Sequence, residues 1–181
     1  MSCAQNFFWT GWAKNTRIRC VSFEEYIPLI VLGFRSDPTT PRYALVDGAT
    51  VPLVLLNADV ESRLRFPADC TEEAAKVTWL YREIERIFHT HPDIARVVIK
   101  KGEFTQGDNN AKRVASYQEA ALLLYCGLHN KPVVTKIYAS LGTKSAQVRD
   151  HAIARVSQTT RYWDNKMADA VIAAWWGATN P

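Results

Sequence analysis

From Ile27 onward apolar residues come in three short runs, at 27–34, 43–46 and 51–57, the last continuing toward Leu64. Asp37-Pro38-Thr39-Thr40-Pro41 interrupts the first gap and Asp47-Gly48, a hairpin dipeptide, the second. Three consecutive antiparallel strands are the simplest reading. The period then changes. Asp69 and Glu72 stand at capping-box spacing, and Val77, Leu80, Tyr81, Ile84, Ile87 and Phe88 fall on one helical stripe that should stop near His91-Pro92. Residues 94–99, short and β-branched, read as a buried parallel strand. A polar, glycine-bearing loop over 100–110 leads into a second amphipathic helix over about 111–129, with Val114, Tyr117, Ala121, Leu124, Tyr125 and Leu128 on its apolar face. Residues 132–139 predict another strand. Thr143 or Ser145 can cap a polar third helix reaching about Gln158, and a last helix over 164–176 packs Met167, Ala168, Val171, Ile172 and Trp175. The order βββ-α-β-α-β-α-α implies an α/β fold: a mixed five-stranded sheet with helices on both faces.

Composition narrows the class without fixing the chemistry. The 181 residues carry a net charge of +4, are 48% hydrophobic and 22% charged, and so match one globular domain rather than a disordered chain, a fibre or a coiled coil. The longest apolar run, 27–33, is far below the ~18 residues of a membrane span. Residues 1–12 lack a basic stretch followed by a long apolar one, so export is not expected. Cys3, Cys20, Cys70 and Cys126 are scattered, with no C-x-x-C pair, and read as thiols in a reducing compartment. A cytoplasmic protein is the expectation. Residues 1–26 hold Phe7, Phe8, Trp9 and Trp12 among polar neighbours and show no sustained period. They form an aromatic arm that either packs on the domain at 27–181 or docks a partner protein or a second copy.

Generic catalytic motifs are missing: the chain has no G-x-S-x-G, no Walker loop and no G-x-G-x-x-G. His89 and His91 sit at a helix end, where they suit the dipole better than a metal. Gly102 and Gly107, with Lys100, Lys101, Lys112 and Arg113 around them, make either an anion-binding loop or a solvated connection. Lys144, Arg149, Arg155 and Arg161, with Tyr162 and Trp163, mix cations and rings as single-strand binders do, although a polar helix face and core packing explain them equally well.

Two segments carry a resemblance. Ile30-Val31-Leu32-Gly33-Phe34, a turn, and Tyr43-Ala44-Leu45-Val46-Asp47-Gly48 resemble the opening strand pair of RuvC-like proteins, within the RNase H-like superfamily. Met167-Ala168-Asp169-Ala170-Val171-Ile172-Ala173-Ala174 is similar to the D-x-A-D-A-x-A-I-A of their final helix. Val97-Val98-Ile99-Lys100-Lys101-Gly102-Glu103-Phe104, with Lys112 and Tyr117-Gln118-Glu119 beyond, also resembles an uncharacterised bacterial family of RuvC-like domains. The resemblance covers 27–174 and implies the RNase H-like fold.

It also implies two divalent metals held by carboxylates from the first strand, the fourth strand and the final helix. Here the first two of those positions align with Arg35 and Lys100, and the first final-helix position with Lys166; only Asp169 remains acidic. The expectation is a catalytically inactive domain with no cofactor. Its basic former active-site face (Arg35, Lys100, Lys101, Lys112, Arg113 and Lys166) would bind DNA, RNA or another polyanion. Asp169 is expected to pair with Arg35 or Lys100. Two alternatives stand beside this. One is an oligomeric scaffold acting through the arm; the other is a Mg²⁺- or Mn²⁺-dependent nuclease with displaced ligands Asp37, Glu119, Asp164 and Asp169, with Glu103 a further displaced candidate. In structural terms, Asp37 suits a turn before proline, Asp164 an N-cap, and Glu119 a solvated or ion-paired helix position.

Overall fold

A computed structural model of the protein describes residues 29–60, 62–103, 107 and 109–180. The aromatic arm, with Cys3 and Cys20, lies outside them. The strands are β1 (Ile30–Arg35), β2 (Arg42–Asp47), β3 (Val54–Leu55), β4 (Ile94–Lys100) and β5 (Val133–Lys136). The α-helices are α1 (Glu73–Thr90), α2 (Asn110–Leu128), α3 (Val148–Arg155) and α4 (Asn165–Thr179), and a 3-10 turn spans Ala139–Leu141. One five-stranded sheet runs β3-β2-β1-β4-β5. β1 pairs antiparallel with β2 and parallel with β4, and β4 is parallel to β5. The mixed sheet flanked by helices is as the hydrophobic pattern implied.

Alternation along the strands sorts the core into two layers. Leu32, Phe34, Leu45, Val97 and Ile99 face α1 and α2, where they meet Leu80, Ile84 and Leu122. Val31, Ala44, Val46 and Val98 face the other way, onto α3 and α4. On this second side the helix comes close. A Cβ at Gly33 would meet Ala174 N at 2.5 Å, and one at Gly177 would meet Val31 and Val98 at 2.6 Å. Glycine lets α4 seat its backbone directly on the centre of the sheet.

Several boundaries differ from the sequence reading. β3 is two residues long rather than seven, and among the described residues the chain after it regains the sheet through the Arg42–Arg63 bridge. Asn57 replaces strand pairing there: its side chain accepts from Leu45 N and donates to Tyr43 O. Asp69 caps no helix, because residues 67–71 form turns and α1 starts at Glu73 without a side-chain cap. Neither Thr143 nor Ser145 caps α3, which starts only at Val148, behind Gln147. α2 is rotated relative to the expected face. Tyr117, Leu124 and Leu128 are exposed, while Gln118, Glu119, Leu122 and Cys126 are buried. The helix is apolar around much of its circumference, and the pairing of Gln118 with the Asp37 backbone selects which side turns in.

Candidate functional site

Strand parity places the charged residues. Arg35 follows Val31 and Gly33 on the α4 side of β1, and Lys100 follows Val98 on the same side of β4; the two are register partners at the carboxyl ends of parallel strands. α4 brings Asp169 beneath them, one turn after Lys166. Asp164 fixes where that helix begins, its Oδ1 accepting from Met167 N at 2.7 Å. Carboxyl ends of parallel strands are where open α/β sheets place their ligands.

The carboxylate of Asp169, 2% exposed, is already occupied. Arg35 Nε lies 3.0 Å from Oδ2, and the Tyr138 hydroxyl donates to Oδ1 at 2.8 Å. Burial pushes the Asp169 carboxyl above its ordinary value, with Arg35, Tyr138 and Lys100 opposing the rise. Burial, with Asp169 beside it, pushes the Tyr138 phenol up to about 12, so it stays protonated and donates. Lys100 is fully enclosed: its Nζ donates to Lys101 O at 2.6 Å and to Glu103 Oε1 at 2.8 Å, 3.7 Å over the Tyr138 ring. Desolvation lowers its pKa although Glu103 and Asp169 favour the charge. Glu103 also accepts from Tyr138 N, at 3.0 Å, which ties the end of β5 to the end of β4.

Beside this network opens a cleft of about 800 Å³, with Arg35, Asp37, Lys101, Lys112, Glu119 and Lys166 in its walls. Arg113 is exposed, outside that lining. Asp37 is a turn residue, as its place before Pro38 implied: Oδ1 accepts from Thr39 N, Thr39 Oγ1 and Thr40 N, and Oδ2 pairs with Lys166. Glu119 is neither solvated nor ion-paired as expected; it is buried and accepts from Ser36 Oγ at 2.8 Å. Asp164 turns away from the cleft to Arg42 at 2.8 Å and Tyr162 at 2.9 Å. Burial alone would raise the Asp164 carboxyl, but the Met167 amide, Arg42 and Tyr162 bring it below its ordinary value.

The pair of divalent metals that the RuvC-like resemblance implies would need several converging anionic oxygens. The described residues do not supply them. Among the described residues no three His, Cys, Asp or Glu side chains come together around one point, and the four displaced candidates are each held by a different partner. The described residues do not fit a two-metal centre.

Of the second cluster, Arg155 stacks on Trp175 and Trp163 packs against the α4-side core, while Lys144, Arg149 and Arg161 are exposed; Arg63 stacks on Tyr162. His89 lies exposed in the last turn of α1, and His91 is its C-cap. Burial pushes the Cys126 thiol up to about 11, which leaves it unreactive, and Cys70 is also a free thiol. No helix among the described residues is long and apolar enough to cross a membrane. Reading the sequence alone missed Tyr138 and the buried roles of Ser36 and Gln118. Ser36 alternates with Arg35 and so had to face α2, a signal that was available; nothing local marked Tyr138 beyond its place after an apolar run.

No protein-family model matches the chain, and no curated protein matches it. Solved structures do. The chain is similar to Thermus thermophilus RuvC in complex with Holliday junction substrate, with a TM-score of 0.66 at 13% identity, over 81% of this chain and 90% of that one. It also matches the yeast mitochondrial Holliday junction resolvase Ydc2, with a TM-score of 0.55 at 11% identity, over 82% and 78% of the two chains. The fold is therefore RNase H-like, of the RuvC type.

Proposed function

We propose that this domain is a catalytically inactive RuvC-type module that binds nucleic acid, or a polyanion like it, in the cleft at the carboxyl ends of β1 and β4. The observation that carries this reading is the placement of Arg35, Lys100 and Lys166 at the carboxyl ends of β1 and β4 and the start of α4, each paired with a different carboxylate, Asp169, Glu103 and Asp37. An acidic centre repels phosphodiesters until metals neutralise it; a centre with fixed cations attracts them directly. The likeness to a RuvC solved on a DNA junction supports the polymer class. Fluorescence-anisotropy titration with single-stranded, duplex and branched DNA and with RNA, repeated across salt concentrations, tests the reading. Binding that weakens steeply with salt, with every strand left intact in Mg²⁺ or Mn²⁺, is the expected result. No binding even at low salt overturns the binding role, and cleavage abolished by Asp169→Asn overturns the inactive one.

A further inference from the structure

The three cations at the ligand positions are not equivalent. The Lys100 side chain is 0% exposed and spends its donors on Lys101 O and Glu103. Arg35, 19% exposed, turns Nε to Asp169 and Nη1 to the Lys100 carbonyl at 3.1 Å. Both spend these donors inward, Arg35 while still reaching the cleft wall, and together they join the ends of β1 and β4 to α4. Lys166 differs: 45% of its side chain is exposed, and its partner Asp37 already accepts three other hydrogen bonds. Lys101, exposed, stands in the same cleft wall.

We propose a division of labour in which Arg35 and Lys100 are positioning residues, internal counter-ions that close the centre in place of divalent metal, while Lys166 and Lys101 meet the phosphates of the ligand. The second half rests on the binding reading above; the first does not. A buried carboxylate needs compensating charge from somewhere. Protein cations supply it permanently, so neither the fold nor the cleft depends on a metal ion. A phosphodiester entering the cleft finds Lys166 in its wall, held by a carboxylate that keeps three other donors when the lysine turns away.

The test uses the full chain and a fluorescein-labelled single-stranded DNA 20-mer (about twenty nucleotides), in EDTA and again in millimolar Mg²⁺, with thermal melts of each protein under both conditions. Lys166→Ala and Lys101→Ala are each expected to weaken binding about five- to tenfold near 0.1 M salt, to lower the salt slope by about 0.7, and to leave the melting temperature in place. Arg35→Gln and Lys100→Met are expected to melt several degrees lower yet keep the wild-type slope. If Lys100→Met fails to fold, Arg35→Gln carries the slope comparison by itself. For the wild type, EDTA and Mg²⁺ should give equal melting temperatures. A slope that falls for Arg35→Gln and not for Lys166→Ala, or a melting temperature raised by Mg²⁺, overturns the division. Wild-type protein that binds no DNA or RNA overturns the phosphate half, while metal-insensitive melting still upholds the internal counter-ion half.

Discussion

The two faces of the sheet are packed on different principles. Against α1 and α2 the contact is made by large side chains, Leu32, Phe34, Leu80, Ile84, Phe88 and Tyr125, and the outer side of α2 still leaves Leu124 and Leu128 exposed. Against α4 it is made by Gly33, Ala170, Ala174 and Gly177, with the helix backbone almost touching the strand. A layer of long side chains can repack around a change; a backbone-on-backbone contact cannot. The charged centre hangs from the second kind. Asp169 adjoins Ala170, so the distance between its carboxylate and Arg35 is set by this close contact of α4 with β1.

That contrast can be broken by substitution. Gly33→Val should have the largest effect, at least ~4 kcal/mol, enough to prevent folding, because the new side chain collides with α4 backbone. Leu80→Ala, on the forgiving face, should cost about 3 kcal/mol through its cavity and leave a folded protein. Chemical denaturation of the pair checks this ranking, and a milder effect at Gly33 than at Leu80 breaks the comparison. Arg35→Gln should come next, at about 2 kcal/mol, because it leaves the buried Asp169 carboxylate without its countercharge.

Acid sharpens the same distinction. Asp164 has its pKa lowered in the folded state, so its contribution is complete above the ordinary carboxylate value near ~4 and is lost as pH falls through the lower folded value. Asp169, raised by burial, contributes in the opposite sense: its share is complete below the ordinary value and lost as pH rises through the folded one. Urea midpoints measured between about pH 3 and 6 should therefore flatten on the acid side in Asp164→Asn. Above the ordinary carboxylate value, the decline with rising pH should disappear in Asp169→Asn. The smallest effect belongs to Leu128→Gln, within ~0.5 kcal/mol, since that side chain is exposed on α2.

Much of this was legible in the sequence where short-range rules suffice. The resemblance to the RuvC-like opening strands and final helix put Arg35, Lys100, Lys166 and Asp169 at one centre, and the stripe of Met167, Ala168, Val171 and Ile172 put α4 against the sheet. Asp164 and Asp37 read correctly because capping and turn chemistry are local. What could not be read depended on contacts between distant segments. Periodicity favoured Leu124 and Leu128 for the buried side of α2, whereas Gln118, paired with a loop eighty-one residues away, turned the opposite side inward. Tyr138 and Glu103 close the charged centre through folding of the sheet edge, which no spacing in the chain encodes.

The most direct measurement is a Mn²⁺ titration of the purified chain followed by electron paramagnetic resonance of the free ion. The free-ion signal should rise in proportion to added Mn²⁺, with no saturable site, and Asp169→Asn should give the same line. A stoichiometric site in the wild type that vanishes in Asp169→Asn would contradict it, because that carboxylate would then be holding a metal rather than Arg35.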